Sequence, residues 1–340
     1  MTPPYSNRTG TRSVHVTRVS IGKLLAVLFV CALTFPRSQP AIADEGGVSF
    51  WLPGQFGSFA AVPSAPGWAL GAIYYHLAAD ASASKSFLIG GNVVAGLNAR
   101  ADLVFLAPTY TFAAPVLGGQ AALGLIGAFG RMRGTGEVTF TDLKGGQLSI
   151  SQADTVTSGS DLYPLGTVKW QRGKNNYLVY TLLGVPVGAY QTGRLANIGT
   201  NHWSIDAGGG YTYFDAQEGH EFSAVAGLTY NFENPDTHYR NGIDGHLDWA
   251  ASQFLSEEVH VGIVGYFYRQ LSGDSGSGAR LGDFESRTNG IGPQVGYFFP
   301  VAGGKGYVNL KAYWEFDASH RAEGWNTWLT LAIPFGAAPR

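Results

Sequence analysis

From Tyr307 to Asp317 the side chains alternate between two chemistries. Val308, Leu310, Ala312, Trp314 and Phe316 fall on one face; Tyr307, Asn309, Lys311, Tyr313, Glu315 and Asp317 fall on the other. Period-two alternation is the signature of a β-strand with two different surroundings. His202–Tyr213 repeats it, with Trp203, Ile205, Tyr211 and Tyr213 opposed to His202, Ser204, Asp206 and Thr212. So does the run from Glu221, with Phe222, Leu228, Tyr230 and Phe232 opposed to Glu221, Ser223, Thr229 and Asn231. The pattern predicts strands with cores near 68–78, 97–112, 120–134, 161–171, 176–190, 202–213, 220–232, 244–254, 259–272, 287–300, 306–317 and 326–335. No stretch after residue 43 approaches the ~18 continuous apolar residues of a helical membrane span.

The connections sharpen this picture. Short turns are predicted at Pro115–Gly119, Gln171–Asn176, Asp215–Gly219, Leu255–Glu258 and Val301–Lys305. Between them fall longer, Gly-, Asn-, Asp- and Ser-rich segments at 79–96, 135–160, 191–201, 233–243, 273–286 and 318–325. Alternating short and long connections mark bacterial membrane barrels, with short turns in the periplasm and longer loops outside. The expected fold is therefore all-β: a transmembrane, antiparallel, up-and-down barrel of about 12 strands spanning 68–335, with both termini in the periplasm. Trp249, Trp314, Phe316, Tyr213 and Phe335 fit aromatic girdles at the lipid headgroups. A soluble sandwich or lipocalin-like barrel predicts neither feature. Residues 336–340 read as a short tail.

Composition changes the picture at the amino terminus. Arg8, Arg12, Arg18 and Lys23 precede an apolar run from Leu24 to Phe35, then Pro36 and the small-x-small triplet Ala41-Ile42-Ala43. This is the layout of a cleaved signal peptide over 1–43, too short in its apolar part to anchor a membrane. Cys31, the one cysteine, lies inside it, so the exported chain is expected to lack disulfides and thiol chemistry. After residue 43 there remain 17 basic against 24 acidic residues, a net charge of −7 and no footprint for nucleic acid. The 48 glycines, about twice the usual share, suit strands curving round a lumen.

Candidate chemistry follows from the inward phase. Asp206, Glu221, His246, Asp248, Gln294, Lys311, Glu315 and Asp317 fall on it and are expected to line the lumen or a substrate path. Arg100, Asp102, Arg131, Arg133, Lys169 and Arg269 are not phased by the sequence. Residues 44–67 hold Trp51, Phe56 and Phe59 among prolines without alternation; they form either a plug in the lumen or a periplasmic tail. Gly273-Asp274-Ser275-Gly276 resembles a protease nucleophile loop but lacks the His base and orienting Asp that this chemistry needs nearby. Asp236, His238, Asp244, His246 and Asp248 include three residues on one strand face, about 7 Å apart in succession and wide for one metal ion. Neither a catalytic residue, a metal nor a cofactor is expected.

Several stretches together resemble a known family. They are Arg194-Leu195-Ala196-Asn197-Ile198-Gly199 with Asn201-His202-Trp203, and Phe232-Glu233-Asn234-Pro235-Asp236-Thr237 with Tyr239-Arg240. They continue through His246-Leu247-Asp248-Trp249-Ala250, Gly292-Pro293-Gln294-Val295-Gly296-Tyr297, and Glu315-Phe316-Asp317 with Arg321, Glu323 and Gly324. The chain resembles the family named for the MetA pathway of phenol degradation. The resemblance implies an outer-membrane transporter that passes small apolar or aromatic compounds. The partners expected are the lipid bilayer, the outer-membrane assembly machinery and such solutes. The alternatives are a non-conducting structural or surface-recognition barrel and, more remotely, a barrel-embedded hydrolase.

Overall fold

A computed structural model describes residues 49–89, 92–141, 147–280, 285–301 and 304–335. The candidate signal peptide, Cys31, residues 44–48 and the tail 336–340 lie outside the described residues. Twelve strands form: β1 (Gly67–Ile89), β2 (Asn92–Thr111), β3 (Gln120–Thr141), β4 (Gln147–Arg172), β5 (Asn175–Gly184) and β6 (Ser204–Asp215). They continue as β7 (His220–Asn231), β8 (Asp244–Phe254), β9 (Val259–Gln270), β10 (Arg287–Val301), β11 (Gly304–Ser319) and β12 (Glu323–Phe335). Each pairs with its sequence neighbours, and β1 meets β12 from Trp68 opposite Phe335 to Asp80 opposite Glu323. All the pairs are antiparallel. The sheet closes with no free edge, as the alternation predicts.

Alternation becomes geometry. On β7, Phe222, Leu228 and Tyr230 are exposed outward, while Glu221, Ser223, Val225, Thr229 and Asn231 are buried inward. Outward aromatics gather at both ends of the wall. Trp68 packs against Tyr110 and Phe335 at the short-turn end, and Trp203, Phe232, Trp314 and Trp325 are exposed toward the other. Such girdles are where amphipathic rings settle at a membrane interface. The inward face is not uniform. On β1–β3 it is apolar, with Ile73, Tyr75, Leu77, Leu103, Phe105, Ile126 and Met132; on β6–β8 and β11 it carries charge and hydroxyls.

Three of the expected long loops are corrected, 318–325 among them, since β11 reaches Ser319 and β12 begins at Glu323. Most of 79–96 and 135–160 is strand: β1 and β2 extend to Ile89 and Asn92, and β3 and β4 to Thr141 and Gln147. Small and polar residues there resemble a loop by composition. Above a lipid band, however, no outward position needs to be apolar, so alternation fades while the hydrogen-bonded ladder continues. β4 has 26 residues and β5 only 10, so the first hairpins stand far above their neighbours. β5 also ends at Gly184 rather than near 190, because Pro186 has no N–H to continue the ladder. Residues 185–203 instead form a loop that leans on the tall wall. Leu195 is buried among Ile89, Val94, Leu97 and Ala99. At Gly134 a Cβ would sit 2.7 Å from the Leu195 carbonyl oxygen, so only glycine admits the loop there.

Candidate functional site

Residues 49–62 lie inside the barrel, along the polar wall, and leave it at the short-turn end where β1 begins. The turn Pro53–Phe56 is gripped by opposite charges. Asp248 accepts hydrogen bonds from the Gly54 and Phe56 amides at 2.9 and 3.0 Å. The Lys311 ammonium donates to the Gly54 and Phe56 carbonyls at 2.6 and 3.1 Å. Gly54 needs its φ of +85°, and a Cβ there would press on the Tyr313 ring at 2.9 Å. Further along, Glu221 accepts from the Ser58 hydroxyl at 2.7 Å and the Phe59 amide at 3.0 Å. Gln294 donates to Ser58 Oγ at 2.8 Å, Thr212 accepts from the Ala61 amide, and Lys169 donates to the Val62 carbonyl. A segment without regular structure thus has its backbone polar groups answered by lumen side chains, as burial requires.

Three aromatic side chains of the segment are seated separately. Trp51 is fully buried and stacks on the His246 imidazole with centroids 3.5 Å apart. His246 Nε2 lies 2.9 Å from Asp206 Oδ2, which also accepts from Thr229; Tyr180 donates to Oδ1 at 2.6 Å. Both side chains of the His246–Asp206 pair are wholly buried. Phe56 packs between Trp51 and Tyr180. Phe59, at a φ of +64°, sits edge-on to Phe214, Phe254, His260, Phe298 and Tyr307 near the short turns.

Between this segment and the opposite wall lies an apolar cavity of about 190 Å³. Ile73, Leu77, Leu103, Phe105, Met132 and Trp328 form much of its wall, and Phe50–Leu52 and Phe56 close one side. Tyr190 and Asn197–Thr200 of the 185–203 loop close another. That loop is organised by Asp161 on β4, whose carboxylate accepts from the Gly188 and Thr200 amides and the Thr200 hydroxyl, each at 2.8 Å. Burial holds the nearby His202 imidazole below the ordinary histidine range, chiefly by desolvation. The neutral ring is 2.9 Å from the Thr200 carbonyl through Nδ1.

Of the residues singled out by phase, Asp206, Glu221, His246, Asp248, Gln294 and Lys311 all reach this one lumen constellation. Glu315 lies apart, accepting from Tyr266 and from the Gly324 amide, each at 2.9 Å. Asp317 departs from the pattern: Thr288 faces both Asp317 and Ala318 across a bulge, and Asp317 is exposed, at φ +56°, 3.0 Å from Arg287. Ser275 Oγ accepts from Arg240 Nε at 2.9 Å, and their backbones form a bridge. Asp274 accepts from the Gly242 amide, Gln270 and Tyr239, so this loop braces its neighbours. Asp244 pairs with Asn231, while His246 and Asp248 are engaged as above. The alternating pattern marks neither the cavity wall nor Asp161. The available signal was that β1–β3 are apolar on both faces.

Comparison with known proteins places this geometry. The structure aligns with an outer membrane channel from Pseudomonas putida F1 at a TM-score of 0.63 and 13% identity, covering 82% of this chain and 98% of that one. A FadL homologue from Pseudomonas aeruginosa overlaps weakly, at 0.38 and 8% identity, over 78% of this chain and 89% of that one. No curated protein matches the sequence. The chain therefore shares the fold of an outer membrane β-barrel channel. A family model matches residues 82–331, most of the barrel, and by that match the chain belongs to the family described as "Putative MetA-pathway of phenol degradation".

Proposed function

We propose that the chain is a bacterial outer-membrane channel for passive uptake of small hydrophobic or aromatic compounds, linked to the degradation of phenol-type molecules. In it residues 49–62 act as a plug. The observation that carries this reading is the apolar cavity of about 190 Å³. An apolar cavity of roughly 150 Å³ already accommodates benzene, and a few polar groups at the edge of such a site orient a ligand. Here Ser160, Asn197 and Gln55 lie at the edge, so one hydroxyl on a ring has partners within the site. The shared fold with an outer membrane channel and the family membership support the transport class. Passive passage needs no catalytic group or cofactor.

The test is entry of phenol into vesicles whose outer leaflet is lipopolysaccharide, a leaflet that resists hydrophobic solutes. Reconstituted chain should raise phenol entry several-fold over chain-free vesicles and leave glucose entry unchanged. Ala101, buried at the cavity wall, provides the specificity control: Ala101→Trp fills the cavity and should return phenol entry to the chain-free level. Phenol entry at that level for the unmodified chain would leave the non-conducting, surface-recognition barrel as the better reading.

A further inference from the structure

The outer surface of β1–β4 changes character between adjacent rows of residues. One row is apolar and exposed, with Tyr74, Val104 and Phe129 in register. The next, toward the tall hairpins, holds His76, Asp102, Arg131 and Thr157. The one beyond holds Ala78, Arg100, Arg133 and Thr155. Arg100, Arg131 and Arg133 are all exposed. Tyr110, in the girdle at the short-turn end, is ten residues from Arg100 along β2. In a strand tilted by about 40° that separation rises roughly 25 Å, the height of a barrel's apolar band. Arg100 and Arg133 therefore sit where the hydrocarbon ends, and Arg131, one row lower, reaches the same level with its long side chain.

Their arrangement is unfavourable as it stands. Arg100 and Arg133 are directly opposite on neighbouring strands, where side chains lie about 5 Å apart and like charges repel. Asp102, the acid beside them, is engaged with Tyr74 at 2.6 Å and His76 at 2.7 Å. Among the described residues none of the three guanidinium groups comes within ion-pair distance of a carboxylate, although Arg131 stands opposite Asp102 and feels its charge. A phosphate between Arg100 and Arg133 turns the repulsion into two charge-assisted, fork-shaped contacts, with the Thr155 and Thr157 hydroxyls alongside.

We propose that Arg100, Arg131 and Arg133 form a site for the phosphate of an anionic glycolipid in the outer leaflet, its acyl chains lying on the Tyr74–Val104–Phe129 row. The source is a lipid rather than free phosphate because the cationic rows adjoin exposed apolar wall at headgroup height. This inference rests on the membrane placement proposed above and is independent of the cargo.

The full chain in detergent, freed of lipid, is titrated with bisphosphorylated lipid A, its dephosphorylated form and inorganic phosphate. Bound lipid is counted by native mass spectrometry and the thermal midpoint is followed. The bisphosphorylated lipid should bind and raise the midpoint; the other two should not. Arg100→Gln with Arg133→Gln should weaken lipid binding by about tenfold or more, while the lipid-free midpoint stays level or rises, because the repulsion is gone. Arg133→Lys, which keeps charge but loses the fork, should fall between and serves if the double variant does not fold. Equal binding by the double variant, equal binding of the dephosphorylated lipid, or stabilisation by inorganic phosphate alone would each overturn the assignment. Phenol entry is measured in parallel. Its loss in the unmodified chain would count against the channel reading and not against this site.

Discussion

Asp248→Ala is expected to free the lumen segment and raise the fraction of time for which the barrel conducts. The carboxylate accepts two backbone amides from a single turn, the buried Gly54 N–H and the partly buried Phe56 N–H. Hydrogen bonds to a charged group contribute about 1.5–3 kcal/mol each, so their loss costs the seated state on the order of 3 kcal/mol. That is a shift of roughly a hundredfold in the ratio of released to seated segment. The Lys311 ammonium, which holds the carbonyls of the same turn, then sits in the lumen without the opposing charge that shares its grip. Single-channel recordings in planar bilayers should show frequent open events for Asp248→Ala, rare ones for the unmodified chain and an intermediate frequency for Asp248→Asn. Proteolysis should cut near Gly54 in the variant first. Identical conductance and cleavage in all three would mean that the clamp does not hold the segment.

Asp206→Ala should be the most destabilising single change inside the barrel. Its carboxylate answers Tyr180, Thr229 and His246 at once, at sites with no exposure to water. Leaving a buried polar group without its hydrogen-bond partner costs about 1–3 kcal/mol, and Tyr180, Thr229 and His246 would all lose theirs without regaining solvent. The loss should appear as a lower midpoint in denaturant titration of the detergent-solubilised barrel. His246→Phe, which keeps a flat ring under Trp51, should cost less, and combining it with Asp206→Ala should recover part of the loss. A midpoint for Asp206→Ala within error of the unmodified chain would show that the pair is not the structural centre described here.

What the alternation pattern conveyed is the wall. Because β6, β7, β8, β10 and β11 separate two surroundings, the inward positions of Asp206, Glu221, His246, Asp248, Gln294 and Lys311 could be read from phase alone. Asp317 could not be placed that way, since it is itself one of the two bulge residues opposite Thr288, where the period breaks. The tall hairpins were hidden for a different reason: above the apolar band, strand and loop have similar composition, and only the ladder distinguishes them. The cavity was hidden because β1–β3 are apolar on both faces, which erases the contrast that phase analysis uses. Trp51, Phe56 and Phe59 stood out as apolar residues without a strand to belong to. Their partners lie as far as 255 residues away in sequence and follow from closure of the barrel, which no local pattern encodes.

Residues 49–62 as the gate of the lumen are the central claim, and a reversible lock tests it most directly. Ser58 and Ser252 present their hydroxyls 2.9 Å apart, across the boundary between segment and wall. Ser58→Cys with Ser252→Cys should form a bridge under oxidation, within the reach that disulfide geometry requires. Phenol entry into the lipopolysaccharide-faced vesicles is then measured for this variant before and after reduction. Entry at the chain-free level while oxidised, restored to the level of the unmodified chain by reductant, is the predicted result. Equal entry in the two states, with the bridge verified by mass spectrometry, would contradict it.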